Sequence, residues 1–235
     1  MSKRWQTILE HRWRAFYRNP YQHLFLSLLV IFVGFATIDD HGSLGAITLG
    51  ALFLFTVLFV IETFNLRRSQ LHLLRAIAIL SFILSSYIIW IEDESLWGIA
   101  LVNRLVQFTF LVSSIVIILK GIFQAKQVTG DTVTGGICVY LMLGLAWFEL
   151  YEILLLFEPA AFSREMPFYR TFYFSFVTLT TVGYGDVVPV HRVAMILSNL
   201  EAVIGQIYLA VIVARLVSLY AQEKKDDPQE PLNKQ

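Results

Sequence analysis

Apolar runs of about twenty residues recur along this chain, and they restrict its possible folds more than any other feature. A soluble protein of 235 residues with a single core has no need of several such runs. Hydrophobic residues make up 57% of the chain and charged residues 15%, and the mean hydropathy is +0.64. The sequence therefore predicts an all-α integral membrane protein, because helices satisfy their own backbone hydrogen bonds in lipid.

The rest of the composition argues against several other classes of function. The formal net charge is zero, so no excess of positive charge suggests a nucleic-acid partner. The single cysteine, Cys138, excludes an intrachain disulfide and lies in an apolar run, which is typical of inert packing. The sequence shows no nucleophile–base pair and no metal cluster. An enzyme, a cofactor and a small-molecule substrate are therefore disfavoured, and the five histidines share no ligand spacing: His11, His23, His41, His72 and His191.

Six apolar segments are predicted to cross the membrane as helices. They lie at residues 21–38, 43–64, 71–91, 96–119, 133–157 and 189–220. A shorter apolar segment, residues 167–179, is predicted to enter the membrane and return through the polar stretch that follows it. Such a re-entrant loop of non-helical backbone is tolerated at membrane depth only where it lines a watery path.

Both ends of the chain are polar. Residues 1–20 carry five basic side chains and, at helical spacing, the apolar side chains Trp5, Ile8, Leu9, Trp13 and Phe16. This pattern predicts an interfacial amphipathic helix on anionic lipid. An exposed basic leader is the alternative, and the lack of an apolar core argues against a cleavable signal peptide. Residues 221–235 are predicted to form a disordered tail.

Loop charges predict the orientation. Basic residues flank the segments on one side, at Arg67, Arg68, Lys120, Lys126, Lys224 and Lys225, besides those of the first twenty residues. Acidic residues occupy the opposite loops, at Asp39, Asp40, Glu92, Asp93, Glu94 and Glu158. By the positive-inside rule, both termini are predicted to be cytoplasmic, with membrane lipids as partners.

The stretch Thr-Val-Gly-Tyr-Gly at residues 181–185 carries the strongest functional signal. Gly183 and Gly185 take positive φ at little cost, and a backbone that alternates the sign of φ turns successive carbonyls the same way. Four such strands around an axis would stack rings of oxygens that replace the water shell of a cation, with the Thr181 hydroxyl as the lowest ring. A glycine turn between two strands is the alternative.

The short segment before this stretch is predicted to be a helix that starts near Ser163-Arg-Glu-Met-Pro167, with the proline in the first turn. Its C-terminal end points toward the middle of the membrane. Because that end carries a partial negative charge, four such helices would favour a cation in a central cavity.

Residues 133–220 resemble the pore module of tetrameric potassium channels, which consists of an outer helix, a pore helix, a filter and an inner helix. The resemblance implies a homotetramer in which Thr181, Val182, Gly183, Tyr184 and Gly185 form the selectivity filter. The first four of these residues would bind K+, and Asp186 would cap the outer mouth.

The same resemblance implies roles for residues on either side of the filter. Tyr173 and Phe174 match the aromatic cuff of the pore helix, and Gly205 falls on the hinge glycine of the inner helix. The run from Glu201 through Arg215 is similar to small bacterial channels of the "ion channel" pore family, which implies a bacterial inner membrane. Residues 21–120 then form a four-helix transmembrane domain, and residues 121–132 form a linker to the pore domain.

The sequence departs from the family pattern in three places. Val177 replaces a pore-helix glutamate that some bacterial members hydrogen-bond to the filter aspartate. The inner helix contains no internal proline, and the fourth segment contains Arg104 without an arginine at every third position. The first four segments therefore resemble a voltage sensor in number only, and we expect little or no voltage gating.

Several ionisable residues fall inside the predicted helices. Glu62, Arg75 and Arg104 are expected either to pair within the four-helix domain or to act in gating. Glu149 and Glu152 are expected either to brace the pore helix or its Arg170, or to raise the local concentration of cations.

Helical spacing separates the residues of the inner helix into two groups. A pore-facing line runs through Gln206, Leu209 and Val213, and Glu201 lies well off it. Glu201 is therefore expected to support the filter by a hydrogen bond to the pore helix or to a neighbouring subunit. Arg215 lies near the inner mouth and is expected to reach toward the headgroups.

These expectations favour a passive, potassium-selective channel with no cofactor besides the permeant ion. Two alternatives remain. One is a subunit of a potassium transporter, although such proteins carry four pore repeats in one chain, each with a single filter glycine. The other is a non-conducting sensor or scaffold with a vestigial pore.

Overall fold

The computed structural model describes residues 20–38, 43–62, 68–91, 96–125 and 127–226, and within them it is all-helical. No strand forms in these ranges, where a single bridge joins Phe162 to Pro189. Within these ranges seven helices follow in order: α1 Pro20–Thr37, α2 Ser43–Glu62, α3 Arg68–Ile91, α4 Trp97–Gln124, α5 Gly130–Phe157, α6 Phe168–Leu179 and α7 Arg192–Asp226. The amphipathic helix predicted for residues 1–20 lies outside the described residues, apart from Pro20.

Each predicted apolar segment coincides with one helix, but the ends differ. Helix α4 continues to Gln124 and α5 begins at Gly130, so less than half of the predicted linker is non-helical. Helix α7 continues to Asp226, into the segment that the sequence predicts to be a tail. Among the described residues, four helices are long and apolar enough to cross a membrane: α3, α4, α5 and α7. The apolar parts of α1 and α2 are shorter, Tyr21–Thr37 and Leu44–Leu58, so six crossings remain a prediction.

The starts of α5 and α6 have identifiable local causes. Thr129 caps α5 by accepting a hydrogen bond from the Thr132 amide at 3.1 Å, and Asp131 in the first turn suits the positive end of the helix dipole. Pro167 precedes α6 with an extended ψ of 162°, so it is the N-cap and not part of the first turn as predicted. Its carbonyl accepts the amides of Arg170 and Thr171 at 2.9 and 3.0 Å.

Helix α5 lies at the centre of the packing and contacts α1, α4, α6 and α7. The main apolar core joins buried residues of α1, α4 and α5, among them Leu24, Leu28, Ile118, Ile122, Val139 and Met142. At Gly135 the α5 backbone comes so close to α1 that an added Cβ would lie 3.0 Å from the Tyr21 ring. Cys138 is fully buried there, with its sulfur 3.4 Å from the Tyr21 carbonyl oxygen, in agreement with a packing role. The first four helices are thus attached to the rest of the chain through α1 and α4.

Candidate ion-conduction site

The backbone of residues 181–185, called here the filter segment, alternates in the sign of φ. Gly183 and Gly185 have φ of 56° and 76°, as the glycine spacing predicts. Thr181 also has a positive φ of 58° and is the only described non-glycine residue to do so, which leaves Val182 and Tyr184 with negative values. The sequence predicts Thr181 as a filter residue but gives no sign of its positive φ. A β-branched residue avoids this region unless its surroundings enforce it.

The end of α6 holds the start of the filter segment. The Val177 carbonyl oxygen accepts the amides of Val182 and Gly183 at 3.0 and 3.3 Å. The Thr181 amide donates to the Thr178 carbonyl oxygen at 2.9 Å. These bonds satisfy carbonyls that a helix C-terminus leaves without partners. Val177 therefore contacts the filter segment through its backbone, at the position where some bacterial members of the resembled family carry a glutamate side chain.

The two aromatic residues of α6 have different environments. The Tyr173 hydroxyl donates to Asp186 Oδ1 at 3.1 Å, and its ring stacks on Tyr184 with centroids 6.4 Å apart and planes 4° apart. Phe174 faces the opposite way, with ring centroids 5.2 Å from Tyr151 and 4.9 Å from Phe162. Tyr173 thus contacts the outer end of the filter segment directly, whereas Phe174 anchors α6 to the elements behind it.

Ser163, in the loop before α6, forms two hydrogen bonds to Val188, which follows the filter segment. The Ser163 hydroxyl accepts the Val188 amide at 3.0 Å, and the Ser163 amide donates to the Val188 carbonyl oxygen at 2.9 Å. The sequence predicts Ser163 only as part of a helix start. Its partner lies 25 residues away, so local pattern carries no signal for the contact.

Helix α7 contacts the end of α6 at Gly205 and the first residue of the filter segment at Gln206. An added Cβ at Gly205 would contact the Leu179 carbonyl oxygen and would lie 3.0 Å from the Leu179 Cδ1. Gln206 Nε2 donates to the Thr181 hydroxyl at 3.4 Å, while Leu209 and Val213 are exposed on the single chain. Helix α7 continues unbroken through Gly205, which packs closely against the end of α6, and the hinge role that the resemblance implies stays a prediction.

Gly205→Ala is accordingly expected to disturb the filter segment. The added methyl presses on the end of α6, and overpacking of this kind costs about 1–3 kcal/mol. We expect a lower single-channel conductance and weaker ion discrimination in planar bilayers. Gly98→Ala in α4, where an added Cβ would meet no atom within 4 Å, is the control and should behave as the unmodified protein. If Gly205→Ala alters opening and leaves selectivity unchanged, the hinge predicted from sequence is the correct explanation.

Glu201 lies behind α6 and is fully buried. Its Oε2 is 2.6 Å from the Tyr151 hydroxyl of α5, and its Oε1 is 2.7 Å from the Ser175 hydroxyl of α6. The predicted hydrogen bond to the pore helix is confirmed. Sequence reasoning missed both partners, because Tyr151 and Ser175 lie 50 and 26 residues away along the chain.

Arg104 of α4 is bound to α5. Its guanidinium lies 3.2 Å from Glu149 Oε2 and 3.0 Å from Glu152 Oε2, and 5.0 Å from the ring centre of Phe168 at the start of α6. No ion pair joins Arg170 to either glutamate in the described part of the chain, and the wider expectation that the two carboxylates brace the pore helix stays a prediction. Arg170 donates instead to the Glu165 carbonyl oxygen and to the Tyr169 hydroxyl. The side chain of Glu62 lies outside the described residues.

Arg215 also has a role that differs from the prediction. One of its guanidinium nitrogens donates to the carbonyl oxygens of Phe123 and Ala125, at 2.7 and 2.9 Å. These carbonyls lie at the C-terminal end of α4, where a positive charge suits the helix dipole. Arg215 thus fastens α7 to the end of α4, where the sequence suggests a reach toward lipid headgroups.

Side chains offer no conventional metal centre in the described part of the chain. No group of three or more His, Cys, Asp or Glu side chains lies close enough together there to hold an ion. The oxygens available to a cation at the filter segment are backbone carbonyls and the Thr181 hydroxyl, which are hard ligands suited to hard cations.

Comparison with known proteins points to the same part of the chain. Residues 135–222, which run from α5 into α7, match a family model described as "Ion channel". The chain is 41% identical over 72 residues to the potassium voltage-gated channel protein shk-1 of Caenorhabditis elegans. The aligned stretch covers 29% of this chain and 13% of that protein. The chain is 32% identical over 80 residues to the two-pore potassium channel 4 of Arabidopsis thaliana, which covers 34% of this chain and 26% of that protein. No solved structure matches significantly.

These matches support an ion-channel pore family for residues 135–222. Together with the long apolar helices, they show a multi-pass membrane protein. The matched region corresponds to about a quarter or less of the length of the two relatives. The similarity therefore concerns the part built from α5, α6, the filter segment and α7.

Proposed function

We propose that this protein is a potassium-selective ion channel, and not an enzyme, through which ions flow passively down their gradient. The observation that carries the proposal is the alternating backbone of the filter segment, with positive φ at Thr181, Gly183 and Gly185. That alternation turns successive carbonyls toward one side, as a row of ion ligands requires. A glycine turn between strands is disfavoured, because α6 and α7 flank the segment.

In the proposed pore, the carbonyls of the filter segment replace the water shell of K+. Thr181, Val182, Gly183 and Tyr184 are the ion-binding residues, and Asp186 is placed at the outer mouth, where Tyr173 holds it. Gln206, Leu209 and Val213 line the cavity below. The C-terminal end of α6, which carries a partial negative charge, favours a cation there.

The same geometry supports a homotetramer. One chain contributes one filter segment, and a ring of carbonyls around an ion needs four. On the single chain, Val182 is 52% and Tyr184 is 72% exposed, which leaves this face open to other copies. We place the tetramer in a bacterial inner membrane, with six crossings per chain and both termini in the cytoplasm.

The two alternative functions fit less well. A potassium transporter built on a related pore keeps a single filter glycine in each repeat, whereas this filter segment has both Gly183 and Gly185. A vestigial pore in a sensor or scaffold gives no reason for the bonds that hold the filter segment at Val177, Tyr173 and Gln206. Passive conduction explains both features.

The proposal is tested by the reversal potential of purified protein in planar bilayers, with potassium on one side and sodium on the other. We expect the reversal potential to follow the potassium gradient. Tyr184→Asp should weaken this preference, because it removes the ring that stacks on Tyr173. Tyr184→Phe keeps the ring and is the matched control, with unchanged selectivity. Equal permeability to sodium and potassium in the unmodified protein would exclude the proposed function.

Native mass spectrometry of the same preparation examines the assembly. The filter geometry requires four chains in the particle that conducts. A particle that conducts potassium as a stable monomer or dimer contradicts the proposed pore.

A further inference from the structure

Behind the filter segment, the Ser175 hydroxyl has more acceptors than hydrogens. Its Oγ lies 2.8 Å from the Gly144 carbonyl oxygen of α5 and 2.7 Å from Glu201 Oε1 of α7. A serine hydroxyl carries one hydrogen, which it can donate well to only one of the two. A backbone carbonyl oxygen has no hydrogen to give. If Ser175 donates its hydrogen to the Gly144 carbonyl oxygen, the hydrogen between Ser175 and Glu201 must come from the carboxyl group of Glu201.

The contact of the second carboxyl oxygen, Oε2, is also compatible with a proton on Glu201. The Tyr151 hydroxyl is 2.6 Å from Glu201 Oε2, and it has a single hydrogen to donate. If Glu201 carries its proton on Oε1, every contact has one donor and one acceptor. Tyr151 then donates to Glu201, Glu201 donates to Ser175, and Ser175 donates to the Gly144 carbonyl oxygen.

We propose that Glu201 is a neutral carboxylic acid whose proton positions α6 behind the filter segment. The protonation state follows from the hydrogen bonds themselves. Only its effect on an ion filter rests on the proposed function. Glu201 is a positioning residue, because it acts on the filter segment through Ser175 and α6.

The surroundings of Glu201 favour the neutral form. The side chain is fully buried, and an ionised carboxylate there would need a cation partner. The titratable groups that face it, Tyr151 and Tyr140, both belong to α5. From α6 the facing group is Ser175, and no basic side chain in the described ranges forms an ion pair with Glu201. Arg104 is bound instead to Glu149 and Glu152.

Loss of this proton has a defined structural consequence. The Ser175 hydroxyl must then donate to the carboxylate and give up the Gly144 carbonyl, so one bond between α5 and α6 is broken. The new charge lies one helical turn from Gly205, which packs against the end of α6. Alkaline pH is therefore expected to loosen the support of the filter segment, by roughly tenfold in the equilibrium for one lost hydrogen bond.

Infrared difference spectroscopy of the full chain in lipid vesicles tests the inference without ion conduction. Glu201→Gln is nearly isosteric with the neutral acid, because its amide donates to Ser175 and its carbonyl accepts from Tyr151. Subtracting the spectrum of this variant at neutral pH should reveal the carbonyl stretch of a protonated carboxyl group. A carboxylate band in its place would overturn the inference.

A second variant keeps the experiment decisive if Glu201→Gln does not assemble. Ser175→Ala removes the acceptor of the Glu201 proton, so the protonated-carboxyl band should shift toward the frequency of a weaker hydrogen bond. A spectrum identical to that of the unmodified protein contradicts the proposed donor chain.

The pH profile of assembly stability gives an independent readout. Between neutral and alkaline pH, thermal dissociation of the unmodified protein should accelerate roughly tenfold, and Glu201→Gln should stay nearly constant. A parallel acceleration in Glu201→Gln counts against the inference. If the protonated band is present but the pore does not select potassium, the proposed function fails and this inference stands. If potassium is selected but a carboxylate band is found, the reverse holds.

Discussion

Replacing Gly183 by alanine is expected to remove most of the potassium conduction and to leave the assembled protein intact. Gly183 has a φ of 56°, and an added Cβ would meet no atom within 4 Å. The cost is therefore one of backbone conformation, about 1–2 kcal/mol for each non-glycine residue in this region. Four copies around one axis bring it to about 4–8 kcal/mol, which favours rotation of the carbonyl away from the ion path.

Single-channel recording in symmetrical potassium measures this effect, and native mass spectrometry checks the assembly. Gly98→Ala is the matched control. An added Cβ at Gly98 also meets no atom within 4 Å, but this glycine lies in α4 with ordinary helical φ. It should conduct as the unmodified protein. Normal conduction in Gly183→Ala would show that the alternating backbone is not needed.

Removing the charge of Arg104 is expected to produce the largest loss of stability. Arg104→Met leaves Glu149 and Glu152 without their guanidinium, at side-chain exposures of 2% and 7%. Removing one partner of a buried ion pair costs about 3–5 kcal/mol, because the remaining charge stays buried after its oppositely charged partner is lost. The temperature of thermal unfolding in detergent, or the yield of folded protein, should fall sharply.

Neutralising all three groups supplies the internal control. Arg104→Met combined with Glu149→Gln and Glu152→Gln should recover much of the stability, since no buried charge is left. Arg170→Met removes an arginine whose recorded partners are the Glu165 carbonyl and the Tyr169 hydroxyl, and it should cost little. If the triple variant is no more stable than Arg104→Met, the ion pairs are not the reason for the loss.

The same arginine bears on voltage dependence. Moving one charge through the field is worth about 2.3 kcal/mol per 100 mV, and voltage sensors move about 3–4 charges per subunit. Arg104 is held by α5 of its own chain, so we expect it to contribute stability and no gating charge. An effective gating valence like that of voltage sensors, lost in Arg104→Gln, would contradict this.

Features that depend on neighbouring residues in the chain could be predicted from the sequence. The length of each apolar run predicts a helix, because helix formation in lipid is local, and a helix is found at every predicted segment. The positive φ of Gly183 and Gly185 follows from the missing Cβ, which is also a local property. Helical spacing alone also separates Glu201 from Gln206 on α7, and in the structure Glu201 is buried while Gln206 is exposed.

Only the tertiary structure decided which side chains meet. Arg104 contacts Glu149 and Glu152 at separations of 45 and 48 residues, and Arg215 reaches Phe123 across 92. Helices that are apolar on every side carry no pattern that specifies their rotation or crossing, so their partners cannot be derived from spacing. The positive φ of Thr181 is likewise imposed from outside, by the end of α6 and by Gln206 of α7. The support of the filter segment is therefore a property of three packed elements, and their contacts arise only when the chain is folded.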